Sequence, residues 1–234
     1  MNELDHLCSR SPLGQRISGL RIRQTRLPAI GWDLAEIICL KPFVERLLVA
    51  LTFPIWGAVL ALLWFVIKLS DMKSPAILIQ VRTGMHGTKF EVFKLRTMVP
   101  NAEQLKQSLA QYNLSTGPDF KMRNDPRITF IGHILRKSHL DELPQLINVL
   151  KGEMSLVGPR PCTVSAEAHQ GWWWPRLLCK PGLTGLFQIY RAHTHNFNDR
   201  VRLEVRQLKT RSLIYDMKII LRTFVVAFVE RKGF

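Results

Sequence analysis

Between Arg46 and Lys68 the chain carries 21 residues, Leu47 to Ile67, without a charge. As a helix the run would be about 32 Å long at ~1.5 Å per residue, close to the ~30 Å hydrocarbon core of a bilayer. A fully buried core helix is the alternative, but soluble helices of this length seldom lack every charge. Pro54 stands eight residues into the run. An interior proline removes a backbone hydrogen bond and kinks a helix. Arg10, Arg16, Arg21, Arg23, Arg26, Lys41 and Arg46 precede the run, and Lys68, Lys73, Arg82 and Lys89 follow it. A straight span would put one of these basic flanks on the wrong side for the positive-inside rule. The run therefore predicts a re-entrant helix, broken at Pro54, that enters and leaves by one face. A straight span is the competing reading.

Lys and Arg outnumber Asp and Glu by 33 to 18, a net charge of +15. Such a balance predicts an anionic partner: nucleic acid, an acidic membrane surface or a phosphate-bearing substrate. Charge alone does not choose among them. The 234 residues suit one domain and an appendage. Cys8, Cys39, Cys162 and Cys179 are far apart and form no CxxC pair, which reads as reduced cytosolic thiols rather than a zinc site. The first forty residues hold no signal-peptide pattern and read as a basic extension, within which Trp32–Leu40 has the pattern of a short amphipathic helix. Residues 41–73 then form the membrane element, and 74–234 a cytosolic and interfacial domain.

Within that domain, Ala76–Arg82 and Lys89–Leu95, separated by Gly84 and Gly87, read as a β-hairpin. Residues 101–112 read as helix and 113–124 as loop. A second helix is expected from about Leu140 to Lys151. Loop-rich stretches follow at Gly158-Pro159-Arg160-Pro161 and Pro181-Gly182-Leu183-Thr184-Gly185. Leu213 to Val229 is apolar but carries Asp216, Lys218 and Arg222, which fits a helix lying in the interface. Trp172–Trp174, followed by Pro175, is either an interfacial anchor or a packed loop.

Asp141 and Glu142 are adjacent carboxylates. Ser138 lies three residues before Asp141, so SHLD reads as a capping box opening the helix. The same position has a chemical use, because a helix N-terminus favours a carboxylate that stays ionised. Glu142 points about 100° away round the helix and is free to hold a cation. Pro144 suits the first helical turn. Lys94, Arg96, Arg127, Arg136 and Arg160 lie in segments around this pair. Each alone is most simply a solvated charge. Arg160 stands apart, held between two prolines, and a guanidinium fork matches phosphate oxygens. Carboxylates with arginines, and no Cys/His metal spacing, point to a hard cation such as Mg²⁺. His193 and His195 lack a third ligand and read as non-metal residues. There is no GxxxxGK[ST] and no GxGxxG, so nucleotide-binding loops of those types are unsupported.

FEVFKLRTM, DPRIT, GHILRKSHLDELPQLINVLKGEMSLVGPRP, KPGLTGLFQIYR and SLIYDMKIILRT together carry a resemblance. Over residues 41–234 the chain resembles the bacterial sugar transferases, the small monotopic phosphoglycosyl transferases that act on polyprenyl phosphate. The resemblance implies a mainly α fold with a small β-hairpin, a re-entrant helix broken at a proline, interfacial amphipathic helices and a small cytosolic catalytic domain. It implies that Asp141 attacks the β-phosphate of a UDP-sugar, releasing UMP and leaving a covalent sugar phosphate. Undecaprenyl phosphate then takes the sugar phosphate, which begins exopolysaccharide, capsule or O-antigen assembly. Glu142 would be a Mg²⁺ ligand and Arg136 and Arg160 phosphate binders. Lys94, Arg96, Arg127 and Gln145 complete the expected substrate-binding set. The implied place is the cytoplasmic face of a bacterial inner membrane. The implied partners are membrane lipids, a second copy of the chain and downstream glycosyltransferases, with no role for nucleic acid. The chain reads as a single-unit member without the additional N-terminal spans of larger relatives. Glu45, Tyr190-Arg191 and the residues near Glu204 and Gln207 depart from the family pattern, which bears on sugar specificity. A basic nucleic-acid-binding protein would have no use for Leu47–Ile67. A non-catalytic membrane scaffold would have no use for Asp141, Glu142, Arg136 and Arg160 together.

Overall fold

The computed structural model describes residues 40–114, 120, 122, 124–164, 171–190 and 197–230. The expectations for residues 1–39, Arg191, His193 and His195 lie outside it. The apolar run forms two helices, α1 (Lys41–Leu51) and α2 (Phe53–Ser70), interrupted at Thr52. Pro54 falls in the first turn of α2, where its missing N–H leaves no helical bond unmade. The break frees carbonyls, and in an apolar setting a free carbonyl costs several kcal/mol. Local groups meet that need. Val49 O receives the Trp56 indole N–H at 2.9 Å and the Thr52 hydroxyl at 3.2 Å, while Leu48 O keeps the Thr52 N–H at 3.0 Å.

α1 is turned inside out. Lys41, Glu45 and Val49, spaced by four, are buried, whereas Phe43, Leu47, Leu48 and Leu51 are exposed. In α2, Trp56, Leu60, Leu63 and Ile67 share one face and pack on the folded unit. The rest of the helix is bare, with Phe53, Ile55, Leu62, Phe65 and Leu69 exposed.

β1 (Ile77–Thr83) and β2 (Lys89–Leu95) form the expected antiparallel hairpin, from Ile77 opposite Leu95 to Thr83 opposite Lys89. Its turn uses left-handed His86 and Gly87. α3 (Ala102–Ser108) is short, and α4 (Phe130–Ser138) follows the Asp125–Arg127 turn. Gly132 lets α4 lie against the Thr97 carbonyl, which a Cβ would strike. α5 (Gln145–Lys151) precedes β3 (Ser155–Val157). β3 pairs in parallel with β4 (Gly182–Thr184), so the two stretches expected as separate loops lie side by side. Gly158 and Gly182 make this possible, since a Cβ on either would meet the other's backbone. α6 (Leu186–Tyr190), α7 (Phe197–Lys209) and α8 (Leu213–Phe224) complete the described chain with a π-helical end, Val225–Glu230. The fold is mainly helical with a small hairpin, as expected. Asp216 and Ile219 of α8 face inward, while Ile214, Met217, Leu221 and Phe224 are exposed.

Two local expectations are corrected. The helix expected from Leu140 begins at Gln145, and Leu140–Glu142 is a separate 3₁₀ turn. The SHLD capping box does not form. Ser138 ends α4, and its hydroxyl turns back to Ile134 O at 2.9 Å. A serine near a helix end can bond forward or backward, and the left-handed His139 decides for the backward bond. Trp173 belongs to a packed segment. It meets Phe197 edge-on at 4.8 Å and donates its indole N–H to Asn198 Oδ1.

Candidate active site

Three segments converge on the carboxylate pair: the end of β2, the turn between α4 and α5, and the loop after β3. The turn is defined at both ends. Thr129 caps α4 by accepting the Gly132 N–H at 3.0 Å. His139 stops it in the left-handed region, at φ 59° and ψ 13°, a conformation that costs a non-glycine residue about 1–2 kcal/mol. Leu140 then packs with Ile67, Leu95 and Leu135, which anchors the 3₁₀ turn bearing Asp141 and Glu142.

The hairpin is pinned to this turn by Asn148 of α5. Its side-chain amide donates to Glu91 O at 2.6 Å, and its oxygen accepts the Phe93 N–H at 3.3 Å. Lys94 therefore stands opposite Glu142, with Nζ 3.2 Å from Oε1. Arg160 grips the same carboxylate with a two-point fork, at 2.6 Å to Oε1 and 3.1 Å to Oε2. Arg136, on the last turn of α4, is held by Thr97 Oγ1 at 2.9 Å and lies within electrostatic reach of Asp141.

Asp141 accepts no hydrogen bond among the described residues. Burial, and then the charge of Glu142, push its carboxyl up to about 6 against the pull of Lys94, Arg136 and Arg160. Burial likewise pulls the Lys94 ammonium below its ordinary range, although Glu142 opposes it. The pair is thus a half-dry spot where three cations outnumber two carboxylates. Charge of this kind suits an anion bearing several phosphate oxygens.

Of the other expected binders, Arg96 and Arg127 are committed elsewhere. Arg96 clamps the end of α2 through Asp71, at 2.8 Å to Oδ2 and 3.2 Å to the carbonyl. Arg127 forks onto Asp125 at 2.8 and 2.6 Å and stacks over Phe120. Gln145 is buried in the first turn of α5. Among the described residues no group of three or more His, Cys, Asp and Glu forms a metal cluster. Mg²⁺ asks for less, one or two carboxylates with the rest from phosphate and water. The Asp141–Glu142 pair has that chemistry.

Sequence reading missed Thr97, Asn148, Arg176 and Arg200. Arg200 and Glu204 are spaced i,i+4, which on most helices marks a solvated pair. Here both are buried, and nothing in the spacing distinguishes the two cases.

A family model described as bacterial sugar transferase matches residues 37–230. A galactosyl transferase of Streptococcus agalactiae is 47% identical over 154 residues, covering 65% of this chain and 34% of that protein. An undecaprenyl-phosphate galactose phosphotransferase of Salmonella typhimurium is 41% identical over 180 residues, covering 73% and 36%. A UDP-glucose:undecaprenyl-phosphate glucose-1-phosphate transferase of Caulobacter vibrioides is 37% identical over 211 residues, covering 84% and 71%. The matched part spans well under half the length of the first two and most of the third.

Proposed function

The chain belongs to the bacterial sugar transferase family, and from that premise we propose that it moves a sugar 1-phosphate from a UDP-sugar to undecaprenyl phosphate, with Asp141 as nucleophile. The observation that carries this reading is the Asp141–Glu142 turn ringed by Lys94, Arg136 and Arg160. A carboxylate oxygen of Asp141 attacks the β-phosphorus of the donor. The bond from that phosphorus to the oxygen bridging the α-phosphate breaks, and UMP leaves with the bridging oxygen. The sugar phosphate is then an acyl phosphate on Asp141. A phosphate oxygen of undecaprenyl phosphate attacks the same phosphorus, and the Asp141 carboxylate is released. Two displacements replace one difficult step. Arg136 and Arg160 hold the phosphate oxygens, and Lys94 neutralises charge at Glu142. Little covalent work falls to the protein beyond positioning and charge stabilisation. Glu142 and the donor diphosphate would hold Mg²⁺, which supplies Lewis-acid neutralisation of the diphosphate when bound.

The interrupted α1–α2 element supports the re-entrant reading, as do its basic flanks. Both helices present apolar side chains outward while their inner faces meet one folded unit. In this arrangement α8 lies in the same interface, and the enzyme works at the cytoplasmic face of the inner membrane. A lipid-borne acceptor phosphate and a soluble nucleotide donor then meet at one site. The product would feed exopolysaccharide, capsule or O-antigen assembly.

The test uses detergent-solubilised full chain, Mg²⁺, a panel of UDP-sugars and undecaprenyl phosphate. UMP release should require Asp141, stop on chelation and return with Mg²⁺. Full activity in Asp141→Asn would exclude the covalent route.

A further inference from the structure

Arg160 is held from two sides. Its side chain forks onto Glu142, while its backbone is gripped by three side chains from elsewhere. Glu204 of α7 accepts the Arg160 N–H at 3.0 Å. Arg176, from the 3₁₀ segment Gly171–Leu177, donates to the Arg160 carbonyl at 2.7 Å, and Arg200 of α7 donates to it at 2.8 Å. Both arginines also bind Glu204, at 2.7 Å from Arg176 Nε and 3.1 Å from Arg200 Nε. Glu204 has 0% exposure, Arg200 2% and Arg176 3%.

Burying three charges costs several kcal/mol each, and apolar side chains of similar volume commonly fill such space with no loss of stability. Packing alone therefore gives no reason for this group. Its geometry does. Pro159 and Pro161 have no N–H and a fixed φ, so Arg160 carries the only N–H in the three residues. That donor and the residue's carbonyl are both taken by the three side chains. Phe197 lies within cation–π distance of both arginines, at 5.8 and 5.4 Å from their guanidinium carbons, and Phe187 lies 5.0 Å from that of Arg200. The grip on the backbone is rigid, and the guanidinium it presents is the one that meets Glu142.

We infer that Glu204, Arg176 and Arg200 form a positioning group that fixes the Arg160 backbone and so aims its guanidinium at Glu142 and the donor diphosphate. What the guanidinium meets rests on the transferase reading, whereas the backbone grip is independent of it.

The test has two arms, both on the detergent-solubilised full chain. The first is a double-mutant cycle on Mg²⁺-dependent UMP release, with E204Q placed in the wild-type and R160A backgrounds. E204Q should lower kcat by about 10- to 100-fold, as misplacement of a reacting or binding group does. In R160A the same change should alter kcat by less than about twofold, because coupled residues do not add. The second arm is amide exchange. Arg160 carries the only backbone amide between two prolines, so its protection can be read alone, and E204L, which removes the acceptor oxygen, should abolish it. R200K, which leaves the Glu204–Arg176 pair in place but disturbs the donation to the Arg160 carbonyl, should lower kcat in the same background-dependent way by a smaller factor and decides the first arm if E204Q does not fold. Equal loss of kcat in both backgrounds, or unchanged protection at Arg160 in E204L, would overturn the inference. If the wild type releases no UMP from any UDP-sugar, the transferase reading falls and the exchange arm alone decides the positioning.

Discussion

Asp141 is charged at neutral pH in a place that disfavours its charge. Its carboxyl is raised from 3.8 to about 6, first by burial and then by Glu142. A folded-state value above the unfolded one means that the folded protein binds the proton more tightly. The stabilisation is therefore present at low pH and is lost as pH rises through about 6. Asp141→Asn should abolish UMP release yet raise stability at pH 7.5 by up to about 3 kcal/mol, at ~1.36 kcal/mol per pH unit. Thermal unfolding in detergent checks it, and an unchanged or lower midpoint would contradict the shift. The same group predicts that kcat/KM falls about tenfold per unit below pH 6, read from a profile between pH 5 and 8. At Arg160, lysine keeps the charge but has no fork. R160K should therefore lose about 1.5–3 kcal/mol of transition-state binding, the scale of a charged hydrogen bond, measured as kcat/KM for UMP release. The identity of Asp141, Glu142, Arg136 and Arg160 as candidates was legible from residue type and neighbourhood. The commitment of Arg96 to Asp71 and of Arg127 to Asp125 was not, because an arginine's partner is set by the fold.

The secondary structure divides in the same way. The hairpin was readable because β-branched runs and two glycines specify it locally. The parallel pairing of β3 with β4 was not, since its strands are three residues each and lie far apart in sequence. α1 shows what a helix pattern leaves open. Lys41 reaches Asp216 of α8 at 2.6 Å and the Val157 carbonyl at 3.0 Å, and Glu45 accepts from the Ser155 hydroxyl at 2.8 Å. Two polar side chains of the membrane element thus hold the strand that leads into Arg160. Lys41→Met should destabilise by about 3–5 kcal/mol, because it strands a buried Asp216, while K41M/D216L should recover much of that loss. Chemical unfolding of both variants in detergent decides it. Glu45, a departure from the family pattern, keeps a structural partner here.

At the scale of the whole molecule, apolar rows on α1, α2 and α8 face outward while the polar network lies within. In a cysteine-free background, Arg23→Cys and Lys73→Cys should both react with a membrane-impermeant thiol reagent only when the cytoplasmic face is open. Labelling of either from the periplasmic side would sink the re-entrant arrangement. The sequence by itself determined the apolar run, because length and lack of charge are local properties, whereas the structure places the interruption at Thr52, two residues before Pro54. It also determined the carboxylate pair, the hairpin and the apolar row of α8. The tertiary structure alone decided which cations meet Glu142. It also decided that Leu140–Glu142 is a turn rather than a helix start, and that an ordinary-looking Arg200–Glu204 pair is buried against the Arg160 backbone. The reason is physical: periodicity records which side chains avoid water, whereas the partner of a charge depends on chain segments brought together only by folding.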